Sequence, residues 1–172
     1  VERLKAAGQR SINNLVDISN YVLLEIGHPT HIFDYDKLDR KEILVRRAIK
    51  GEKLISLDEA EHELKETQLL ITDGKSPIAL AGVMGGLSSA VTEQTTTVLV
   101  ESAYFNPITI RKSAKSLQMN TDASKRFERG ADPEGAEKGF WHVVALLQEL
   151  ADGELVSEMV DEYPLAVTQS SL

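Results

Sequence analysis

TVLVESAY (97–104) is a strand by its alternation and an anomaly by its chemistry. Successive side chains of a strand point to opposite faces. Val98, Val100 and Ser102 therefore share one face, and Leu99, Glu101 and Ala103 share the other. A carboxylate in line with Leu99 and Ala103 sits at an exposed sheet edge or in a pocket where it needs a hydrogen-bonding partner. Both readings stand on this stretch alone.

Working outward, short β-branched or leucine-rich runs precede it: ILVRRAI (43–49), KLISL (53–57), QLLIT (68–72) and IALAGV (78–83). Turn signals separate them at Lys50-Gly51-Glu52, Asp58-Glu59, Asp73-Gly74-Lys75-Ser76 and Gly85-Gly86. This spacing predicts a mostly antiparallel sheet system in two layers. Helices lie before and after it. Leu15, Ile18, Val22 and Ile26 share one helical face between about Asn13 and Ile26, capped by Ser11 or Asn13 and stopped by Gly27 and Pro29. Asn106-Pro107 opens a helix to about Leu117, and a short one covers Asp122 to Arg129. Asp132-Pro133 opens another, in which Phe140, Val143, Val144, Leu147 and Leu150 keep the helical beat until Gly153. ELVSEMVDEYP (154–164) reads as a last strand. No helices separate the strands, which excludes a doubly wound parallel sheet, so the expected class is α+β.

The 172 residues, 42% hydrophobic and 27% charged, suit a single globular domain over 1–172 with its core at about 11–163. Val1 to Gly8 reads as the end of a helix and no Met precedes it, so a piece of a longer chain is expected. The absence of cysteine excludes disulfides, cysteine-bound zinc and thiol nucleophiles. No apolar run is long enough to span a bilayer and the N-terminus lacks a secretion signal, so no membrane partner is expected and the location is read as cytoplasmic. A net charge of −8 argues against a domain that grips nucleic acid mainly through phosphates. The charge is uneven, however. Arg111 to Arg129 holds six Lys/Arg against two acids, and Glu134 to Glu162 holds eight acids against one Lys.

Each chemical motif is weak when taken singly. His28 and His31 in HPTHIFD follow the first helix, on what reads as a loop, without a third metal ligand at a diagnostic spacing. One of them holding a water is the alternative to an ordinary loop histidine. LAGVMGG (80–86) lacks the Lys-Ser/Thr of a phosphate-binding loop; its glycines make a bulge and turn, or let backbone approach a ligand. TDASKRFERG (121–130) is a capped, salt-bridged helix or a ribose or phosphate contact. No Ser-His-Asp order or nucleophile elbow is present.

In combination they are specific. NNLVDISNYVLLEIGHPTHIFDYDKL, LAGVMGG, VLVESAYFNPITIRKSAKSL and TDASKRFERGADP, in this order and at these distances, closely resemble the editing region of the phenylalanyl-tRNA synthetase β chain. The resemblance covers about Ser11 to Tyr163. It implies a three-layer β/β/α fold, a β-sandwich of unusual topology with helices against one side. It also implies hydrolysis of tyrosine wrongly esterified to tRNA(Phe), within an ATP-dependent ligase. The alternative is a module kept only for docking tRNA or subunits. The implied partners are the tRNA 3′ end carrying tyrosine, the rest of the β chain and the α chain of an α2β2 assembly. No cofactor or metal is implied.

By the same resemblance, Glu101 binds the tyrosine hydroxyl, and Gly82 and Gly85 line the amino-acid slot with bare backbone. Pro29, Thr121 and Ala123 form its other walls. His31 holds the water and Asn20 orients it or the substrate. Ser19 stands where the family has Thr and keeps the hydroxyl, while His28 stands where Gln is common, which weakens it as a catalytic residue. The chemical reason for such a site is simple. An apolar pocket rejects an added hydroxyl poorly, by about 100-fold, whereas a site built around that hydroxyl rejects the analogue lacking it by roughly 10⁴ or more.

Overall fold

The computed structural model describes residues 1–164. In chain order its elements are α1 (Glu2–Ala6), α2 (Asn14–Ile26), β1 (Thr30–Asp34), β2 (Leu44–Arg47), β3 (Lys53–Ile55), β4 (Glu61–Glu63) and β5 (Leu69–Thr72). They continue with β6 (Pro77–Leu80), β7 (Met84–Gly85), β8 (Val98–Ser102), α3 (Pro107–Ser116), α4 (Asp122–Phe127) and α5 (Gly135–Leu150). Every strand pairing among the described residues is antiparallel. The class is α+β.

β1 pairs with β8, while β2, β5, β6 and β7 form a four-stranded sheet in that order. β3 and β4 make a separate ribbon, joined to the end of β7 by a bridge between Ser56 and Gly86. Alternation along the β1–β8 pair sorts its side chains into two cores. Ile32, Val98 and Val100 pack with Ile18 and Val22 of α2 and with Val143 and Leu147 of α5. Phe33, Leu99 and Ala103 point the other way and pack with Leu70, Ile71 and Leu80 of the four-stranded sheet. Helices, a two-stranded layer and a four-stranded layer are thus stacked in that order. Val22 and Phe33, one in each core, are both 0% exposed; each such burial contributes about 1.5–3 kcal/mol.

The helix ends follow from short polar residues. The Asn13 side chain accepts from the Val16 amide at 2.9 Å, and Gly27 closes α2 in the left-handed region at φ 76°. Asn106 accepts from the Thr109 amide at 3.1 Å, with Pro107 beginning α3. Thr121 and Ser124 form a reciprocal capping box on α4. The buried line of α5 is Gly135, Gly139, Val143, Val144 and Leu147. Phe140 is half-buried and Leu150 is 54% exposed, so the expected apolar stripe shifts toward the glycines. The shift has a cause. A Cβ on Gly139 would lie 3.1 Å from Ser102 Oγ and 3.3 Å from Thr30 Cγ2, so glycine lets α5 sit low over β1 and β8.

Four expectations need correction. Thr30–Asp34 is a strand, not a loop, because THIFD alternates between the two cores. EHE (61–63) is a strand despite its polarity, since it pairs with β3 while Lys53 and Glu61 form an ion pair at 2.6 Å. Gly85-Gly86 is not the turn. The chain reverses at Ala81–Val83, where the Val83 amide donates to the Leu80 carbonyl at 3.0 Å. Gly82 has φ 64° at the third position, as a type II turn demands. Finally, residues 154–164 form no strand. No neighbouring strand pairs with them, and Val156 and Val160 are 80% and 84% exposed.

Gly82 is confined twice over, by its dihedral and by the rings around it. A Cβ there would fall 2.8 Å from Phe105 Cδ2 and 3.0 Å from both Ile110 Cδ1 and Phe127 Cδ2. Gly82→Ala is expected to destabilise the chain by about 2–4 kcal/mol, read from urea or thermal unfolding. A change under about 0.5 kcal/mol would contradict the rigid turn described.

Candidate active site

His31 and Glu101 are directly opposite one another in the β1–β8 register. Both belong to the face that looks toward the four-stranded sheet, with Phe33 and Leu99 as their neighbours one step along. The His31 ring packs edge-on against Phe33 with centroids 4.5 Å apart. It then reaches across to β7. A Cβ on Gly85 would stand 2.6 Å from His31 Cε1 and 2.8 Å from Nε2, so the bare glycine makes room for the imidazole. Gly85 itself is held opposite Ala79 in the sheet.

These residues enclose a cavity of about 70 Å³ between the two sheets. One wall is Pro29, Thr30 and His31, with Glu101 beside them. The facing wall is Ile71, Ala79, Leu80 and the segment from Gly82 to Gly85, and α4 closes one side with Ala123 and Phe127. α4 is fixed there by Thr121, whose hydroxyl donates to the Val83 carbonyl at 2.8 Å while also capping the helix. The lining is mostly apolar with two ionisable groups converging on it, which is the usual make-up of a small-molecule site.

Neither ionisable group has a hydrogen-bond or ion-pair partner among the described residues. Both are half-buried, and desolvation is the influence that acts on their titration. It pushes the Glu101 carboxyl up to about 7 and the His31 imidazole down to about 4. Each is driven toward its neutral form, which a salt bridge between them would oppose. His31 is therefore an uncharged acceptor or donor at neutral pH, and Glu101 lies close to half-ionised.

Of the residues singled out in the sequence, Pro29, His31, Gly82, Gly85, Glu101 and Ala123 line one cavity. Thr121 acts behind the wall, through Val83. Ser19 lies on α2 and donates to the Thr30 carbonyl at 2.8 Å, steadying a residue of the lining rather than lining the cavity itself. Asn20, its neighbour on α2, is half-buried and is not among the lining residues. His28 is buried elsewhere, against Gly135 and Gly139 of α5 and edge-on to Phe127. Its Nε2 has no partner, and burial lowers its pKa. Reasoning from the sequence passed over Thr30, Ala79 and Phe127. Alternation in THIFD was the available signal for Thr30; nothing local marks Ala79 or Phe127, whose roles come from strand pairing and helix docking.

Residues 1–152 match the family model described as B3/4 domain. The chain belongs to the B3/4 domain family. Its relatives include proteins named phenylalanine–tRNA ligase beta subunit. The one from Geobacter sulfurreducens is 48% identical over 172 residues, covering 100% of this chain and 22% of the relative. That from Halalkalibacterium halodurans is 47% identical over 167 residues, 97% of this chain and 21% of the relative. That from Geobacillus kaustophilus is 51% identical over 159 residues, 92% and 20% respectively. This B3/4 domain thus spans about a fifth of the length of the relatives it matches. Among its described residues, no helix is long and apolar enough to cross a membrane, and no group of three or more His, Asp or Glu could hold a metal ion.

The raised Glu101 carboxyl makes a pH-dependent prediction. A group whose folded pKa is about 7, against an ordinary 4.5, adds stability below pH 4.5 that is lost as pH rises through 7. Glu101→Gln removes that loss. At pH 8 the variant should be more stable than the parent by on the order of 2 kcal/mol, or roughly 4–8 °C in Tm, and near parity at pH 4.5. Equal melting differences at the two pH values would show that Glu101 is solvated.

Proposed function

We propose that this B3/4 domain is an editing hydrolase that removes tyrosine wrongly esterified to tRNA(Phe). The observation that carries the reading is the His31–Glu101 pair: two partnerless ionisable groups, opposite in register, set against one mostly apolar cavity. Each group has a use in that reaction. The cavity and its open mouth together take the aromatic side chain, whose ring is larger than the enclosed 70 Å³. Glu101 hydrogen-bonds the tyrosine hydroxyl, so phenylalanine leaves a buried polar group unpaired, which costs about 1–3 kcal/mol and more when the group is charged.

The substrate is an already activated ester, so no covalent nucleophile is required. Water attacks the ester carbonyl carbon, the carbon–oxygen bond to the ribose breaks, and the ribose oxygen leaves with a proton. Neutral His31 holds the attacking water through a ring nitrogen, with the neighbouring ribose hydroxyl assisting. Positioning of this kind supplies much of the rate in such a step. Gly85 sets where the ring lies. Ser19 holds the wall through Thr30. Asn20, outside the lining, orients the ribose end or the water. No cofactor enters this chemistry. In the intact enzyme the partners are the rest of the β chain and the α chain. A docking role alone gives His31 and Glu101 no reason to share a cavity without partners.

The deciding experiment is deacylation of tyrosyl-tRNA(Phe) by the full synthetase. Glu101→Ala should reduce discrimination between tyrosyl and phenylalanyl esters at least tenfold, and unchanged discrimination rejects its role. His31→Ala should slow turnover by roughly 10- to 100-fold. Gly85→Ala tests the placement without deleting the group: its Cβ meets the movable end of the His31 ring. It should keep Tm within a few degrees and still lower kcat about tenfold; full activity would show that the ring position is not critical.

A further inference from the structure

α4 supplies more than a wall. Ala123 and Phe127 face the cavity, and Arg126 lies three residues after Ala123 and beside Phe127, at the edge of the same helix face. Arg126 is half-buried, yet its guanidinium has no hydrogen bond or carboxylate partner among the described residues. The carboxylates nearest along the helix are otherwise placed. Asp122 accepts from Gln9 at 3.0 Å and stands 3.4 Å from Lys125, and Glu128 forms no ion pair.

Arg126 is not isolated. Arg129 follows one turn later and is exposed. Arg111 of α3 donates from Nη2 to the Glu128 carbonyl at 3.0 Å, which brings α3 to the end of α4. Lys112 and Lys115 lie exposed along the outer side of α3. Of the six cations from Arg111 to Arg129, only Lys125 makes an ion pair among the described residues. The other five stay unpaired there even though acids outnumber bases in the chain, whose net charge is −8. Such a strip favours a polyanion, and Arg126 shares α4 with the cavity residues Ala123 and Phe127.

We infer that this strip is the track for the phosphodiester backbone of the substrate's 3′ end, with Arg126 the phosphate contact nearest the cavity. The inference rests on the editing reading above and assigns the route by which the ester arrives. Arg126 is a positioning residue. It touches neither the ester nor the aromatic ring.

The test uses the full synthetase carrying Arg126→Gln or Arg126→Lys, with two substrates: tyrosyl-tRNA(Phe), and the tyrosyl ester of unphosphorylated adenosine. Arg126→Gln should raise KM for the tRNA ester about 5- to 10-fold with kcat within twofold. It should also lower the salt slope of log KM by about 0.7–1. Hydrolysis of the adenosine ester should be unchanged, and Arg126→Lys should restore most of the tRNA affinity. Equal losses on both substrates, or no loss on the tRNA ester, overturn the phosphate assignment while leaving editing intact. A wild-type synthetase that hydrolyses neither ester overturns the editing reading and this inference with it.

Discussion

The β1–β8 pairing is the constraint on which the rest depends. It lies between the helices and the four-stranded sheet, and each of its faces serves one core. Its register places His31 opposite Glu101, so the site is a consequence of strand alignment and not of loop conformation. A slip of one residue in either strand would turn its ionisable group into the helical layer and bring Ile32 or Val100 into the cavity instead. The apolar residues on both faces hold the register, and the same residues strip water from the two ionisable groups. Stability and site chemistry therefore draw on one feature and pull in opposite directions: desolvating an unpaired carboxyl and imidazole weakens the fold in order to keep two polar groups available.

The glycines divide by function once their surroundings are known. Gly82 answers to its own backbone dihedral and to three rigid side chains of the core. Gly85 answers to a catalytic candidate on the opposite sheet, and Gly86 to the Ile78 carbonyl, which a Cβ would meet at 2.5 Å. Gly139 lets a helix descend onto the sheet. In the sequence the three of LAGVMGG look alike, as one glycine-rich turn; in three dimensions only Gly82 turns the chain.

Much of the architecture was legible because its signals are local. Periodicity, a polar cap and a terminating glycine mark α2, Asn106-Pro107 marks α3, and short apolar runs mark most of the strands. Glu101 was marked by standing in line with Leu99 and Ala103. What escaped depended on partners. β1 looks like a loop in the sequence because Gly27 and Pro29 stand close before it, and β4 is polar, held by pairing and a cross-strand ion pair. Residues 154–164 have the composition of a strand and no neighbour to pair with. The candidate residues taken from the family resemblance lie mostly around one cavity, but Ser19, Asn20 and Thr121 do not line it; Ser19 reaches it through Thr30 and Thr121 through Val83.

The separation of β1 from β8 along the chain has a consequence in time. β1 leaves the ribosome long before its only sheet partner among the described residues, and closing a loop that long is slow relative to forming a hairpin such as β5–β6. Phe33 and Ile32 lack their β8 neighbours Leu99 and Val100 until Val98 to Ser102 arrive. The cavity needs both strands, so a chain in which β8 has not yet paired with β1 has no rudimentary version of it.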